Sequence, residues 1–418
     1  MSDRVKLGLY VVGFILLILV LAWGVWAVFF RTPGTAIVPG VTPREPIVGG
    51  LPNIDTGPSG RVVDDGATQS STLVPEPNGA DLRREPDAVA AGGRTRVEQI
   101  YSQRASFNTL TGTGFRFYND QDGRFYQLPR DGGAPLQLSA ERFPSVSNVT
   151  WSQSGQKAVL EFPDGSNIVY DFNSGARATL PKAAHEFSFA PSENDLAYEY
   201  LGSTYDDRWV VASQTNGQGQ RLIQPVGDEA INVQVNWSPS NQVVATFREP
   251  TSSAGEEVYF IGFQGENFLS LQTNGLGFEG EWSPKGEQML YSVYSEATDY
   301  KPTLYIAGAK GDSIGTNNHS LRINTWPDKC TFESEKTLYC AVPQELQQGS
   351  GIFPELAENV PDTIYKIDLE NNITSLLAIP ETEGKKSFII DQMVVSENGR
   401  ELYFTDRTNG NIYKVPLR

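Results

Sequence analysis

Two stretches decide the fold: VQVNWSPSNQVVATF, beginning at Val233, and FEGEWSPKGEQMLYSVY, beginning at Phe278. Each is a short strand ending in an aromatic, a polar turn built on Ser, Pro, Asn or Gly, and a second strand with alternating apolar residues such as Val243, Ala245 and Phe247. That pattern marks an antiparallel hairpin. The unit recurs as NVTWSQSGQKAVLEF from Asn148, EFSFAPSENDLAYEY from Glu186, KCTFESEKTLYCAV from Lys329 and DQMVVSENGRELYF from Asp391. With Trp151, Phe189, Trp237, Trp282, Phe332 and Val395 as equivalent anchors, the spacings are 38, 48, 45, 50 and 63 residues. They bracket the roughly 40 to 50 residues of a four-stranded propeller blade.

A second hairpin follows each anchor, as where Asn167 to Phe172 turns through Asn173, Ser174 and Gly175 into Ala176 to Leu180. The stretch from Gly114 supplies three strands of a further unit, whose first strand, near Ser106 to Thr111, has lost its aromatic. The expectation is an all-β, seven-bladed propeller over residues 94–418, with six or eight blades as the neighbouring readings. The seventh unit, from about Phe388, has only three strands before Arg418. An open fourth place would leave an unpaired sheet edge, so residues 95–102 are predicted to fill it and close the ring.

The anchors Trp237-Ser238-Pro239-Ser240 and Trp282-Ser283-Pro284-Lys285-Gly286, with Phe189-Ala190-Pro191-Ser192 as a weaker copy, resemble the TolB-type, WD-like propeller repeat, whose pattern reads W-S-P-D-G. The resemblance covers roughly residues 95–418. It implies a binding platform.

Ahead of the repeats, residues 7–30 read LGLYVVGFILLILVLAWGVWAVFF, 24 positions without a formal charge. At about 1.5 Å per residue this crosses a roughly 30 Å hydrocarbon core as one helix. Tyr10 near one end and Trp23, Trp26, Phe29 and Phe30 near the other suit the headgroup level. Arg4 and Lys6 favour a cytoplasmic stub over residues 1–6. Residues 31–93 hold 9 Pro and 10 Gly in 63 positions and no aromatic, and read as a flexible linker. As a coil it would reach about 45 Å. The expected arrangement is a single-pass inner-membrane protein with an extracytoplasmic propeller and a prokaryotic look.

The whole chain has 418 residues, with 33 Lys and Arg against 50 Asp and Glu, a formal charge of −17. That argues against a nucleic-acid partner, because phosphate is held by clustered cations. Two Cys and two His are too few for a thiolate or histidine-rich metal centre, and the reading assigns no metal and no cofactor. Cys330 and Cys340 lie on either side of a turn centred on Glu335, two residues before and eight after the anchor Phe332. They are expected to face each other across one hairpin and to form a disulfide outside the cytoplasm, worth on the order of 2.5 kcal/mol.

Catalytic strings are weak in context. Gly311-Asp312-Ser313-Ile314-Gly315 matches G-x-S-x-G, but it falls between two strands with no helix after it. Ser154 to Lys157 spells S-x-x-K on a hairpin turn, and Asp120, Asp122 and Gly123 begin a calcium-loop pattern without its final Glu. His185 is read as a loop or rim residue. The chain is therefore expected not to be an enzyme.

Loop length is the informative asymmetry. Between second and third strands, blades three to six carry LGSTYDDR (residues 201–208), REPTSSAGEE (248–257), SEATDYKP (295–302) and PQELQQGSGIFPELAENVPD (343–362). These should rise on one ring face, where insertions in repeat proteins often form the binding surface. The candidate partner-binding residues are Tyr205, Asp206, Asp207, Arg208, Glu256, Glu257, Tyr300, Lys301 and Phe353. The leading reading is a membrane-anchored scaffold or receptor for an envelope protein or cell-wall polymer. The alternatives are a propeller hydrolase or lyase acting on glycan or peptide through channel carboxylates, and a structural component of an envelope assembly.

Overall fold

The computed structural model describes residues 85–417. They form a seven-bladed propeller, each blade a four-stranded antiparallel meander apart from the sixth, which carries a fifth strand. From first to seventh the blades occupy residues 106–137, 148–180, 184–225, 233–272, 276–320, 330–381 and 390–416. Their inner strands are Ser106–Thr111, Asn148–Trp151, Ala184–Phe189, Val233–Val235, Leu276–Trp282, Cys330–Ser334 and Ile390–Val395.

Second strands are sandwiched between neighbouring blades, so they read as apolar runs and not as an alternation. Ala158, Val159 and Leu160 in blade 2, and Leu338, Cys340 and Ala341 in blade 6, are wholly buried. The aromatic anchors tie blade to blade. The Trp282 indole packs edge-on against Phe260 of blade 4 and donates to the Asn236 carbonyl at 2.9 Å. Trp151 repeats the device one junction from the ring's seam, meeting Phe125 and donating to the Phe107 carbonyl at 2.6 Å. Indoles packed in this way keep both packing area and a satisfied N–H.

The ring closes as expected: Glu98–Tyr101 pairs antiparallel with Ile412–Pro416 and completes blade 7. One expectation needs correction. The linker does not run to residue 93, because residues 85–93 already lie on the propeller. Ala90 is buried and its N–H donates to the Pro416 carbonyl at 2.9 Å. Gly93–Arg96 then runs parallel to Ile373–Glu381 as the fifth strand of blade 6. A Pro- and Gly-rich segment orders here because the sheet edge supplies hydrogen-bond partners that composition does not reveal. Gly92, at φ +92°, makes the approach to the Leu376 carbonyl. The cytoplasmic stub, the membrane helix over 7–30 and the rest of the linker lie outside the described residues.

Candidate functional site

In a four-stranded meander, the connection into each inner strand emerges on the same ring face as the turn between second and third strands. The long inserts and the first residues of the inner strands therefore share one face. Two adjoining clefts open there. One, of about 640 Å³, is lined by Arg104, Asn108, Trp151, Asp328, Asp391 and Arg407 among others. The other, of about 210 Å³, shares Asp328, Asp391 and Arg407 and adds Glu279, with Pro354 and Ala357 of the blade-6 insert as its outer wall.

Two cations of this mouth, Lys329 and Arg407, are engaged. Lys329 Nζ donates to Asp362 Oδ2 at 2.9 Å and to the Ile390 carbonyl at 2.8 Å. Arg407 reaches Glu358 of the insert at 3.1 Å. Among the described residues, Glu279, Asp328 and Asp391 make no ion pair, although Lys329 and Arg407 lie near enough to Asp328, and Arg248 to Glu279, to favour their charged forms. Burial pushes the Asp328 carboxyl up, and neighbouring Asp391 adds to the shift while Lys329 opposes it. Burial and then Asp328 raise Glu279. Glu281 is pushed up to about 7 by burial, with Asp328 adding to it and a hydrogen bond from Asn236 opposing it. Glu279 and Glu281 are exposed to water along the channel yet lie within the enclosure of the blades, which raises both.

The sequence carried a signal for this that was not used. In FEGEW, Phe278, Gly280 and Trp282 are buried between blades while Glu279 and Glu281 alternate with them toward water. Two carboxylates at a spacing of two on an inner strand must share the channel face. On the inner strand of blade 3, Glu186 is likewise raised by burial, and His185, expected in a loop or at the rim, sits beside it in the strand.

The nine residues expected to form the wall fall into three groups. Tyr205, Asp206 and Asp207 make one exposed 3₁₀ turn, and Arg208 opens the third strand of blade 3 with its guanidinium 4.9 Å above the Tyr205 ring. Tyr300, Lys301 and Phe353 belong to two inserts that bind each other: Gly351 N–H donates to the Tyr300 carbonyl and Gly349 N–H to that of Asp299. Phe353 is 54% exposed. Glu256 and Glu257 are not in a loop. Blade 4 prolongs its second and third strands to a two-residue turn at Ser253 and Ala254, pairing Ser252 with Gly255. Glu256 is buried there, its carboxylate accepting the N–H groups of Gly277 and Phe278 in blade 5. It is a clasp between blades. The alternating residues of the hairpin continue through the segment, and Ser, Ala and Gly at its tip make a tight turn.

Cys330 and Cys340 are directly paired across the blade-6 hairpin and form the expected disulfide. Ser313 lies in a 3₁₀ turn and donates to the Lys310 carbonyl, so no nucleophile elbow forms. Ser154 and Lys157 both bind Glu193, tying blade 2 to blade 3. Asp122 closes its own hairpin by accepting from Arg124 N–H and the Tyr126 hydroxyl. Among the described residues no group of three or more His, Cys, Asp or Glu is placed to hold a metal ion.

No protein-family model and no curated protein sequence matches the chain. Among solved structures it is similar to an oligogalacturonate lyase in complex with manganese, with TM-score 0.52 and 12% identity over 77% of this chain and 90% of that one. It is also similar to the β-propeller domain of Cps50 (Swd1) from Myceliophteria thermophila, with TM-score 0.51 and 11% identity over 77% of this chain and all of that one. TolB from Acinetobacter baumannii matches at TM-score 0.40 and 12% identity, over 67% of this chain and 65% of TolB. The class is thus a β-propeller, in a fold shared by a lyase and by the propeller domain of Cps50. That finding overturns the expectation that the chain is not an enzyme, since the same architecture carries catalysis elsewhere.

Proposed function

We propose that the chain is a membrane-anchored, extracytoplasmic receptor propeller that takes a cationic segment of an envelope protein or cell-wall polymer at its acidic channel mouth. The observation that carries this reading is the set Glu279, Asp328 and Asp391, three carboxylates without an ion-pair partner among the described residues, beside a cleft of about 640 Å³. A lysine or arginine side chain entering there gains the attraction of all three and relieves their mutual repulsion. Phe353, Tyr300 and Lys301 on the joined inserts of blades 5 and 6 provide the aromatic and charged rim. The membrane anchor and the compartment belong to the same proposal and rest on residues 7–30.

Binding of a cation favours the ionised carboxyls, and Glu279 and Asp328 are both raised by burial, so affinity rises as pH climbs out of the carboxylate range. The test is titration of the full chain, in detergent, with a fluorescent oligolysine peptide at several pH values. Asp328→Asn with Asp391→Asn should weaken binding at least tenfold. Equal affinity in that variant would overturn the reading.

One observation favours a second reading, the propeller hydrolase or lyase acting on glycan or peptide. Glu281 is pushed up to about 7 by burial, with Asp328 adding to the shift, and a carboxyl so tuned suits general-acid work near neutrality. Turnover of a defined oligosaccharide or peptide, abolished by Glu281→Gln, would establish it.

A further inference from the structure

The outer strand of blade 6 is covered by Gly93–Arg96, an extended segment added along its edge. The outer strand of blade 3, Arg221–Pro225, ends its sheet with no strand beyond it. Its side chains are mostly exposed, Leu222 at 58%. An edge of this kind is a template for another strand unless it is blunted by charge or cover.

Beside it, blade 4 is incomplete. Its outer strand is only Leu271–Gln272, pairing with Val258 and Glu257. Past Val258, the third strand Gly255–Gly262 meets that segment only at the single bridge from Ile261 to Asn267. The missing length leaves a groove of about 450 Å³ between the two blades. Ile223, Pro225, Phe247, Tyr259, Phe260 and Phe268 give it an apolar floor and walls. Its only charged lining residues are Glu229 and Glu266, both exposed, and no Lys or Arg joins them. The feature is independent of the channel mouth and shares no residue with it.

We propose that this groove docks an extended polypeptide segment of a partner, with alternating apolar residues and at least one Lys or Arg, added as a fifth strand on the free edge of blade 3. Main-chain bonds to residues 221–225 supply affinity, as the first described strand shows on blade 6, and the alternate apolar side chains fill the groove. Charge selects the occupant. Glu229 and Glu266 attract a basic segment, and a chain of net charge −17 repels a second copy of itself.

The probe is a fluorescein-labelled peptide of alternating Lys and Val, compared with one carrying Glu for Lys and one with a central Pro. Fluorescence anisotropy with the full chain in detergent should show binding of the first, and at least tenfold weaker binding of the other two. With the channel mouth silenced by Asp328→Asn and Asp391→Asn, so that it does not take up the same basic peptide, binding should persist, and Glu229→Lys and, separately, Glu266→Lys should each weaken it several-fold with an unchanged melting curve. Amide exchange should slow on binding at residues 221–225. The proposal is overturned if the first peptide does not bind, if the Pro peptide binds equally, or if both charge reversals are silent. Loss of binding in the Asp328 and Asp391 variant would place the peptide in the channel instead and also overturn it. A dimer that the peptide disperses would assign the edge to a second copy.

Discussion

Blades 6 and 7, where the two ends of the propeller meet, are built differently from blades 3 and 4 on the far side of the sequence. The seam is reinforced at every level. Blade 6 has a fifth strand whose Arg94 holds Glu381 through two bonds, at 2.6 and 2.8 Å, and keeps that carboxyl below its ordinary range. It also has a disulfide and the buried pair of Lys329 and Asp362. Blades 3 and 4 have a bare edge and a broken outer strand. Two buried carboxyls make the contrast in small. Asp362 is fully enclosed; its Oδ2 meets Lys329 and the Ile390 N–H while Oδ1 has no partner, and burial raises the carboxyl against the pull of Lys329. Glu199, 5% exposed in the second strand of blade 3, has no partner for Oε1, and burial with nearby Glu186 pushes it up to about 7. One desolvated acid is answered by a cation, the other by a proton. A ring closed by non-covalent pairing is weakest at its seam, and the chain concentrates its ties there.

The contrast can be broken most severely by removing residues 85–102, which takes away both added strands. Cooperative melting should be lost, with aggregation through the exposed edges of blades 6 and 7; an unchanged calorimetric transition would show that the seam needs no such closure. Next comes Asp362→Ala, which strands Lys329 in a nearly buried position and should cost about 3 to 5 kcal/mol in denaturant unfolding.

Glu199→Gln sharpens the comparison with the opposite sign. A carboxyl at about 7 when folded and 4.5 when free binds its proton more tightly in the native state, so its contribution to stability is full below pH 4.5 and is lost as pH rises through 7. The variant should therefore gain about 2 to 3 kcal/mol at pH 8 and almost nothing at pH 4. Equal melting shifts at both pH values would sink this account of Glu199. Reducing the disulfide should cost about 2 to 3 kcal/mol, read from denaturation with and without reductant. The smallest change is Leu222→Lys on the bare edge of blade 3, expected to shift stability by less than about 0.5 kcal/mol because that side chain packs on little.

Much of this architecture was legible as text. The anchors marked the blades because Trp151 and Trp282 must bury their rings and satisfy an indole N–H on the neighbouring blade, which fixes their place in each unit. The strand supplied by residues near 98 followed from counting three strands in the last unit. The paired cysteines followed from their symmetry about one turn. Glu256 and Glu257 misled because Pro and Ser in REPTSSAGEE suggest a loop, while the pairing partner that keeps the segment in a strand is its own other half. Channel carboxylates are expected from the sequence only in general, because Trp282 beside Glu279 and Glu281 marks that strand as packing.

The amino-acid order by itself determined the propeller architecture, the way the ring closes and the facing of the two cysteines, since each depends on periodicity and local spacing, and left the blade count at seven with six and eight as neighbours. Only the tertiary structure decided that Glu279, Glu281, Asp328 and Asp391 face one channel, that residues 85–93 belong to the folded body, and that blade 4 leaves a groove beside blade 3. Those features arise between blades far apart in sequence. The desolvation, repulsion and edge pairing that govern them depend on distances in space, which a repeat pattern does not encode.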